Sequence, residues 1–187
     1  KRNNKIIKDI TLNIVKSGFN GIFLVASNPV DIITYLVKKY SKFPAGKVIG
    51  SGTMLDTSRL AYLISDKLEI NIRDVSAYIL GEHGDSSFAV WASAKVGSVL
   101  IREILPQEEL DKLLDKAKYM AYKIIELKNE TSYGIGMCLV NITNAILNNE
   151  NKVLVVSSPY DDIYLGMPSV INESGIKGVM KVELTKD

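Results

Sequence analysis

Along residues 5–16, Ile6, Ile7, Ile10, Ile14 and Val15 recur at the spacing of a helix with one apolar stripe. Gly18 and Gly21 interrupt it. The continuous apolar run Gly21–Ala26 then predicts a strand buried on both faces, as in a parallel sheet. Pro29 is placed to open a helix reaching about Lys39. Lys47–Ile49 reads as a short strand, and after a Gly-Ser-Gly turn a helix is expected from Met54 to about Lys67. Strand and helix alternating in this way is the rhythm of an α/β protein.

Beyond residue 70 the rhythm changes. Val75–Leu80 and Phe88–Ala92 read as strands around the polar loop Gly81–Ser86. A helix over about 107–127 places Leu110, Leu113, Leu114, Ala117, Met120, Ala121, Ile124 and Ile125 on one face, with a solvated charge run that includes Glu108 and Lys112 on the other. A second helix, about 132–148, precedes a strand at Val153–Ser157 and a strand-rich tail broken by Gly166, Pro168, Gly175 and Gly178. The expected fold class is α/β. Part of a parallel sheet lies in residues 1–50, and an α+β domain follows in residues 51–187.

Composition narrows the picture. With 187 residues and 47% hydrophobic side chains, the chain can bury a core of about one domain. Its 23 basic and 21 acidic residues nearly cancel, and no Lys/Arg block is present, so no nucleic-acid partner is expected. No apolar run approaches the roughly 20 residues of a membrane span, and the opening residues lack the apolar stretch of a signal peptide. The single Cys138 excludes an intrachain disulfide and fits a reducing compartment, so a cytoplasmic location is expected.

Three segments could carry chemistry. His83, the only histidine, lies between Glu82 and Asp85 with Gly81 and Gly84 around it, in a loop after an apolar strand. It can be a structural histidine or a general acid–base group working near neutral pH. No metal is expected, because a zinc site here would need mostly carboxylates. Ser86 and Ser87 lack the Gly-x-Ser-x-Gly elbow of a hydrolase.

In Gly50–Arg59, Thr53 reads as a helix N-cap and Asp56 as a first-turn acid. Arg59 could simply pair with Asp56 on one helix face. Alternatively, Arg59 grips a planar carboxylate through two parallel hydrogen bonds while Asp56 orients an imidazole. Asn28, between a strand and the helix opened by Pro29, is either a turn residue or a donor aimed at a ligand carbonyl.

Taken together, Val25-Ala-Ser-Asn-Pro-Val-Asp31, Gly50-Ser-Gly-Thr-Met-Leu-Asp-Thr-Ser-Arg59 and Gly81-Glu-His-Gly-Asp-Ser86 resemble the L-lactate/malate dehydrogenase family in content, order and separation. The resemblance extends over essentially the whole chain. It implies a Rossmann-type sheet followed by the family's C-terminal substrate domain. It also implies reversible hydride transfer between NAD and a small 2-hydroxy acid, (S)-lactate and pyruvate being the expected pair. His83 and Asp56 would be catalytic; Arg59, Asn28 and Thr131 would contact substrate; Ala26, Ser27, Asn28 and Ser51 would lie at the nicotinamide end of the cofactor. Thr131, in Lys128–Gly136, is closer to the lactate branch than to malate enzymes. A dimer or tetramer is implied.

The sequence also departs from the family's pattern. Ala61 and Ser76 stand where the fructose-1,6-bisphosphate-activated members carry Arg and His, which implies weak or absent activation by that sugar phosphate. No Gly-x-Gly-x-x-Gly is present. In the family that fingerprint and the mobile active-site loop lie upstream of what is here Lys1, and a closing helix follows Lys181–Asp187. Residues 1–187 alone are therefore expected to be inactive. The alternatives are a malate or branched 2-hydroxy-acid dehydrogenase, and a non-catalytic folded piece acting only in assembly.

Overall fold

The computed structural model describes residues 2–182 and 184; Lys1 and the end of the Lys181–Asp187 tail (183 and 185–187) lie outside the described residues. Helix α1 (Arg2–Lys16) starts a few residues before the predicted stripe and leads into strand β1 (Phe23–Val25). Helix α2 (Val30–Ser41) begins directly after Pro29. It runs on to Lys42, whose left-handed backbone lets its N–H cap the Lys38 carbonyl. Strand β2 (Val48–Gly50) and helix α3 (Met54–Leu68) complete the opening α/β unit.

Short strands follow: β3 (Val75–Ser76), β4 (Ile79–Leu80), β5 (Phe88–Ala89), β6 (Lys95–Val96) and β7 (Val99–Leu100). Next come the single helical turn α4 (Ile101–Ile104) and the long α5 (Gln107–Lys128) and α6 (Tyr133–Leu147). Strands β8 (Lys152–Tyr160), β9 (Ile163–Asn172) and β10 (Gly175–Val179) finish the chain.

The main sheet has the order β1-β2-β8-β9-β10. Only β1 and β2 are parallel, in the register Phe23↔Val48 to Val25↔Gly50. An antiparallel contact of Gly50 with Ser157 joins them to the β8–β9–β10 meander, so parallel and antiparallel parts share one sheet. The α/β class therefore holds, with the parallel layer reduced to a pair of strands. Ile49, Met54, Cys138, Ile142, Val156 and Ile171 pack where α3 and α6 cover this sheet. A second core joins Leu60 and Ile64 of α3 to Trp91, Ile101, Leu110, Leu113 and Ala117.

Several expectations are corrected by tertiary context. The strand predicted over Gly21–Ala26 is confined to β1, and only Val25 is buried because β1 has a neighbour on one side alone among the described residues. On α1, Ile7 packs against the Val30, Ile33 and Val37 cluster, whereas Ile6 and Ile10 are about half exposed (47% and 52%). The strand predicted over Val75–Leu80 divides into β3 and β4, which join different sheets. Helix α5 buries Leu110, Leu113 and Ala117, but its face opens toward the C-terminus, where Ile125 is exposed.

Gly166 and Pro168 do not break the tail. β9 runs through both, and Gly166 allows a close approach: its N–H and C=O bond those of Gly81 at 2.8 and 3.0 Å. A Cβ there would stand 2.3 Å from Thr53 Oγ1, well inside van der Waals contact. Thr53 precedes α3 as expected but makes no side-chain cap; its hydroxyl donates instead to the Ile79 carbonyl at 2.6 Å. That bond and the Thr57 hydroxyl, which receives the Ile79 N–H at 3.0 Å, tie α3 to β4. The α5 charge run is solvated, with Lys112 bridging Glu108 and Glu109.

Candidate active site

The loop between β4 and β5 holds His83, and its root is fixed by the β4–β5 pairing and the Gly81–Gly166 bridge. Helix α3 presents Asp56 and Arg59 on its buried face. They are three residues apart, so both point the same way, toward the loop. His83 Nδ1 lies 2.6 Å from Asp56 Oδ2. Because a carboxylate can only accept, Nδ1 carries the proton and Nε2 is left for a ligand.

Asp56 is 8% exposed and Arg59 9%, so the carboxylate is well placed to act on the ring without competition from water. The Asp56 hydrogen bond raises the His83 pKa above its ordinary value; burial opposes this, the charges of Asp56 and Asp31 reinforce it and that of Arg59 opposes it. A histidine pKa raised on folding stabilises the fold fully below about 6.5, and the contribution is lost as pH rises through the folded value. Urea titrations of residues 1–187 from pH 6 to 8.5 are therefore expected to show a decline in stability that Asp56→Asn largely removes. A decline of equal size in that variant would show that another group is responsible.

A cavity of about 470 Å³ opens beside the pair, and Asn28, Pro29, Asp56, Arg59, His83, Lys118 and Tyr122 are among the residues lining it. Arg59 approaches Asp56 only at 3.5 Å, a marginal hydrogen bond, and makes no other among the described residues. Its remaining donors are available to an anion in the cavity. Larger hollows elsewhere, such as one of about 830 Å³ under Trp91, contain none of these groups. Among the described residues, no group of three His, Cys, Asp or Glu is arranged to hold a metal ion. Among the described residues, no helix is long and apolar enough to cross a membrane.

The structure brings His83, Asp56, Arg59 and Asn28 together. Ala26, Ser27 and Asn28 form an exposed turn at the carboxyl end of β1, adjoining the cavity through Asn28. Ser51 is buried at the end of β2, with its N–H given to the Val25 carbonyl at 2.8 Å, so it ties the two strand ends together beneath the turn. Thr131 is half-buried in the α5–α6 connection and does not line the cavity.

Sequence reasoning missed three participants. Lys118 lines the cavity from α5 and donates to the Asp85 carbonyl at 3.0 Å, holding the His83 loop. Asp31 and Ser157 lie behind the loop and are joined at 2.6 Å. Asp31 stood in a quoted motif, but only folding reveals that it is buried. Ser157 carried no signal, because it reaches the site from 126 residues away in sequence.

A parallel strand pair with a polar turn at its carboxyl end, joined to an α+β layer that carries a His–Asp pair and a buried arginine, makes an α/β protein whose cavity has the chemistry to hold an anion beside a group that can exchange a proton. Comparison with known proteins specifies the class further. Residues 1–50 match the lactate/malate dehydrogenase NAD binding domain, and residues 53–187 match the lactate/malate dehydrogenase alpha/beta C-terminal domain. The chain belongs to the lactate/malate dehydrogenase family.

L-lactate dehydrogenase 2 of Bacillus cereus is 46% identical over an alignment that takes in 100% of this chain and 63% of the relative. The L-lactate dehydrogenase of Bacillus pumilus is also 46% identical, over 98% of this chain and 62% of that relative. Among solved structures, MGS-M5, a lactate dehydrogenase enzyme from a Medee basin deep-sea metagenome library, superposes with a TM-score of 0.96 at 46% identity, covering 99% of this chain and 63% of its own. The minor L-lactate dehydrogenase of Enterococcus mundtii in its ligands-bound form gives 0.96 at 44% identity, covering 98% and 62%. The chain thus spans a little under two thirds of the length of these relatives.

Proposed function

We propose that these residues form the catalytic half of an NAD-dependent L-lactate dehydrogenase, interconverting (S)-lactate and pyruvate. The observation that carries the reading is the 2.6 Å pairing of His83 with Asp56 in the cavity that also holds Arg59. When bound, NAD+ supplies the hydride acceptor for C2 of the hydroxy acid. The residues present fit its nicotinamide end: Ala26, Ser27 and Asn28 are exposed above the ends of the parallel strands, with Ser51 fixing the turn, where sheets of this type bind such ligands.

The proton chemistry belongs to the chain itself. In lactate oxidation, neutral His83 accepts the hydroxyl proton at Nε2 as the C2–O bond becomes a carbonyl. Asp56 holds the ring in the Nδ1–H form and stabilises the imidazolium so produced. In pyruvate reduction, protonated His83 polarises the carbonyl and returns the proton to oxygen. Arg59 receives the substrate carboxylate on its two-pronged face and thereby fixes which side of C2 is presented. Asn28 adds a donor to the substrate oxygen.

Thr131 is kept as a substrate contact, and as the reason for preferring lactate over malate, on the motif resemblance alone. A dimer or tetramer, a cytoplasmic location and a domain division near residue 50 complete the reading. The deciding assay is NADH oxidation with pyruvate, run on residues 1–187 and on a chimaeric chain completed with the portion of the Bacillus cereus relative that this chain does not span. Turnover is expected from the chimaera, and an inactive, folded chimaera would overturn the reading. In the same chimaera, Arg59→Lys is expected to raise the KM for pyruvate roughly ten- to hundred-fold, because a point cation cannot replace the fork. An unchanged KM would remove Arg59 from the carboxylate site.

A further inference from the structure

Asn20 is the only asparagine in the sequence that is followed by glycine. It is exposed and lies in the connection between α1 and β1, outside any helix or strand. Gly21 has no Cβ to obstruct its nitrogen, and its N–H gives no hydrogen bond among the described residues. The Lys47 ammonium stands 3.5 Å from both the side-chain and the backbone oxygen of Asn20. These are marginal hydrogen bonds, but a full positive charge at that range still polarises the amide. No carboxylate among the described residues pairs with Lys47 to offset that charge.

We propose that Asn20 is a self-modification site: attack by the Gly21 nitrogen, promoted by Lys47, turns its side-chain amide into a carboxylate and yields an isoaspartyl form that loosens the α1–β1 connection. The Gly21 nitrogen bonds to Asn20 Cγ and gives up its proton to water. Negative charge gathers on Oδ1 as that bond forms, where the Lys47 ammonium stabilises it. The Cγ–Nδ2 bond then breaks and ammonia leaves, closing a cyclic imide between the two residues. Water opens the imide at either carbonyl. Cleavage of the new Cγ–N bond restores the original main chain, now with an aspartyl side chain. Cleavage of the original peptide bond leaves an isoaspartyl link, whose main chain is longer by a methylene. Water is the only co-reactant, nothing is oxidised or reduced, and either product sets a carboxylate beside Lys47.

The isoaspartyl link falls between Phe19 and Phe23, whose rings meet edge to face at 5.0 Å and both pack on Phe43. The added methylene displaces one ring from the other at the root of the strand that carries the Ala26–Asn28 turn.

The test incubates residues 1–187 and a free peptide covering residues 17–24 side by side, with peptide mapping to resolve the Asn, Asp and isoaspartyl forms. The folded chain is expected to convert at least as fast as the peptide, because only the fold supplies the lysine. Gly21→Ala is expected to slow conversion at least about tenfold, since a side chain then obstructs the attack. Phe19, which the new Cβ would meet at 2.7 Å, is a partly exposed side chain that can swing aside. Lys47→Gln keeps a donor without the charge and is expected to slow conversion about threefold, the scale of one solvated unit charge at this range. The separated isoaspartyl form is expected to unfold at lower urea than the parent, whereas Asn20→Asp keeps the parent midpoint. Conversion in the folded chain about ten times slower than in the peptide, equal rates in Lys47→Gln and the parent, or an isoaspartyl form as stable as the parent would overturn the proposal.

Discussion

In the chimaera, replacing His83 by Asn is expected to lower kcat for pyruvate reduction about 10³-fold while NADH affinity stays within about twofold. Asn can still donate a hydrogen bond into the cavity, so orientation is partly preserved. What it cannot do is take up and release a proton near neutral pH, and the sequence holds no second imidazole to replace it. Asp56 is close, but it is bonded to the ring at 2.6 Å and lies behind it. Asp56→Asn should follow in the same direction, because the amide neither stabilises an imidazolium nor selects the Nδ1–H form reliably. Stopped-flow measurement of NADH consumption, with binding followed separately by nicotinamide fluorescence, distinguishes loss of chemistry from loss of cofactor. Turnover within about tenfold of the parent in His83→Asn would remove the histidine from the reaction.

The second large effect is on folding. Gly52→Ala is expected to destabilise residues 1–187 by roughly 3–5 kcal/mol, read as a lower urea midpoint at an unchanged slope. Gly52 has φ +53°, where a side chain costs roughly 1–2 kcal/mol before any contact is made. An added Cβ would also stand 2.3 Å from the Ser157 backbone nitrogen and 2.6 Å from the Val156 carbonyl carbon. Both neighbours are backbone in the middle of the sheet, so neither can swing away as a side chain tip would. The damage reaches the site as well as the fold, because Gly52 lies at the junction that aims α3 and with it Asp56 and Arg59. A loss below about 1 kcal/mol would mean that β8 can withdraw from the turn, contrary to the packing described above.

These two residues show how differently site and scaffold were legible. His83 could be singled out from its type and its glycine-flanked loop, and Asp56 and Arg59 from their helical spacing. Those features reflect local chemistry, which the sequence records directly. Thr53 had the type and position of an N-cap, yet it bonds the Ile79 carbonyl, because β4 supplies a nearer acceptor than its own helix. Gly166 and Pro168 looked like breaks, but β9 passes through them since β8 fixes its register on one side and Gly81 needs the close approach on the other. Asp31 closed one of the motif strings, but its burial and both of its partners come from elements distant in the chain.

By itself, the sequence determined the alternation of elements, the three motif strings and, through them, the family and the chemical types at the site. Helix and strand periodicity and the acid–base character of a side chain are local properties, set by a few neighbouring residues. Only the tertiary structure decided that His83 faces Asp56 at 2.6 Å, that Arg59 keeps donors for the cavity, and that a single sheet joins the parallel pair to the antiparallel meander. It alone placed Asp31 between the histidine loop and Ser157. Such relations arise from contacts between residues 27 to 126 positions apart, and these form only when the chain has buried its core.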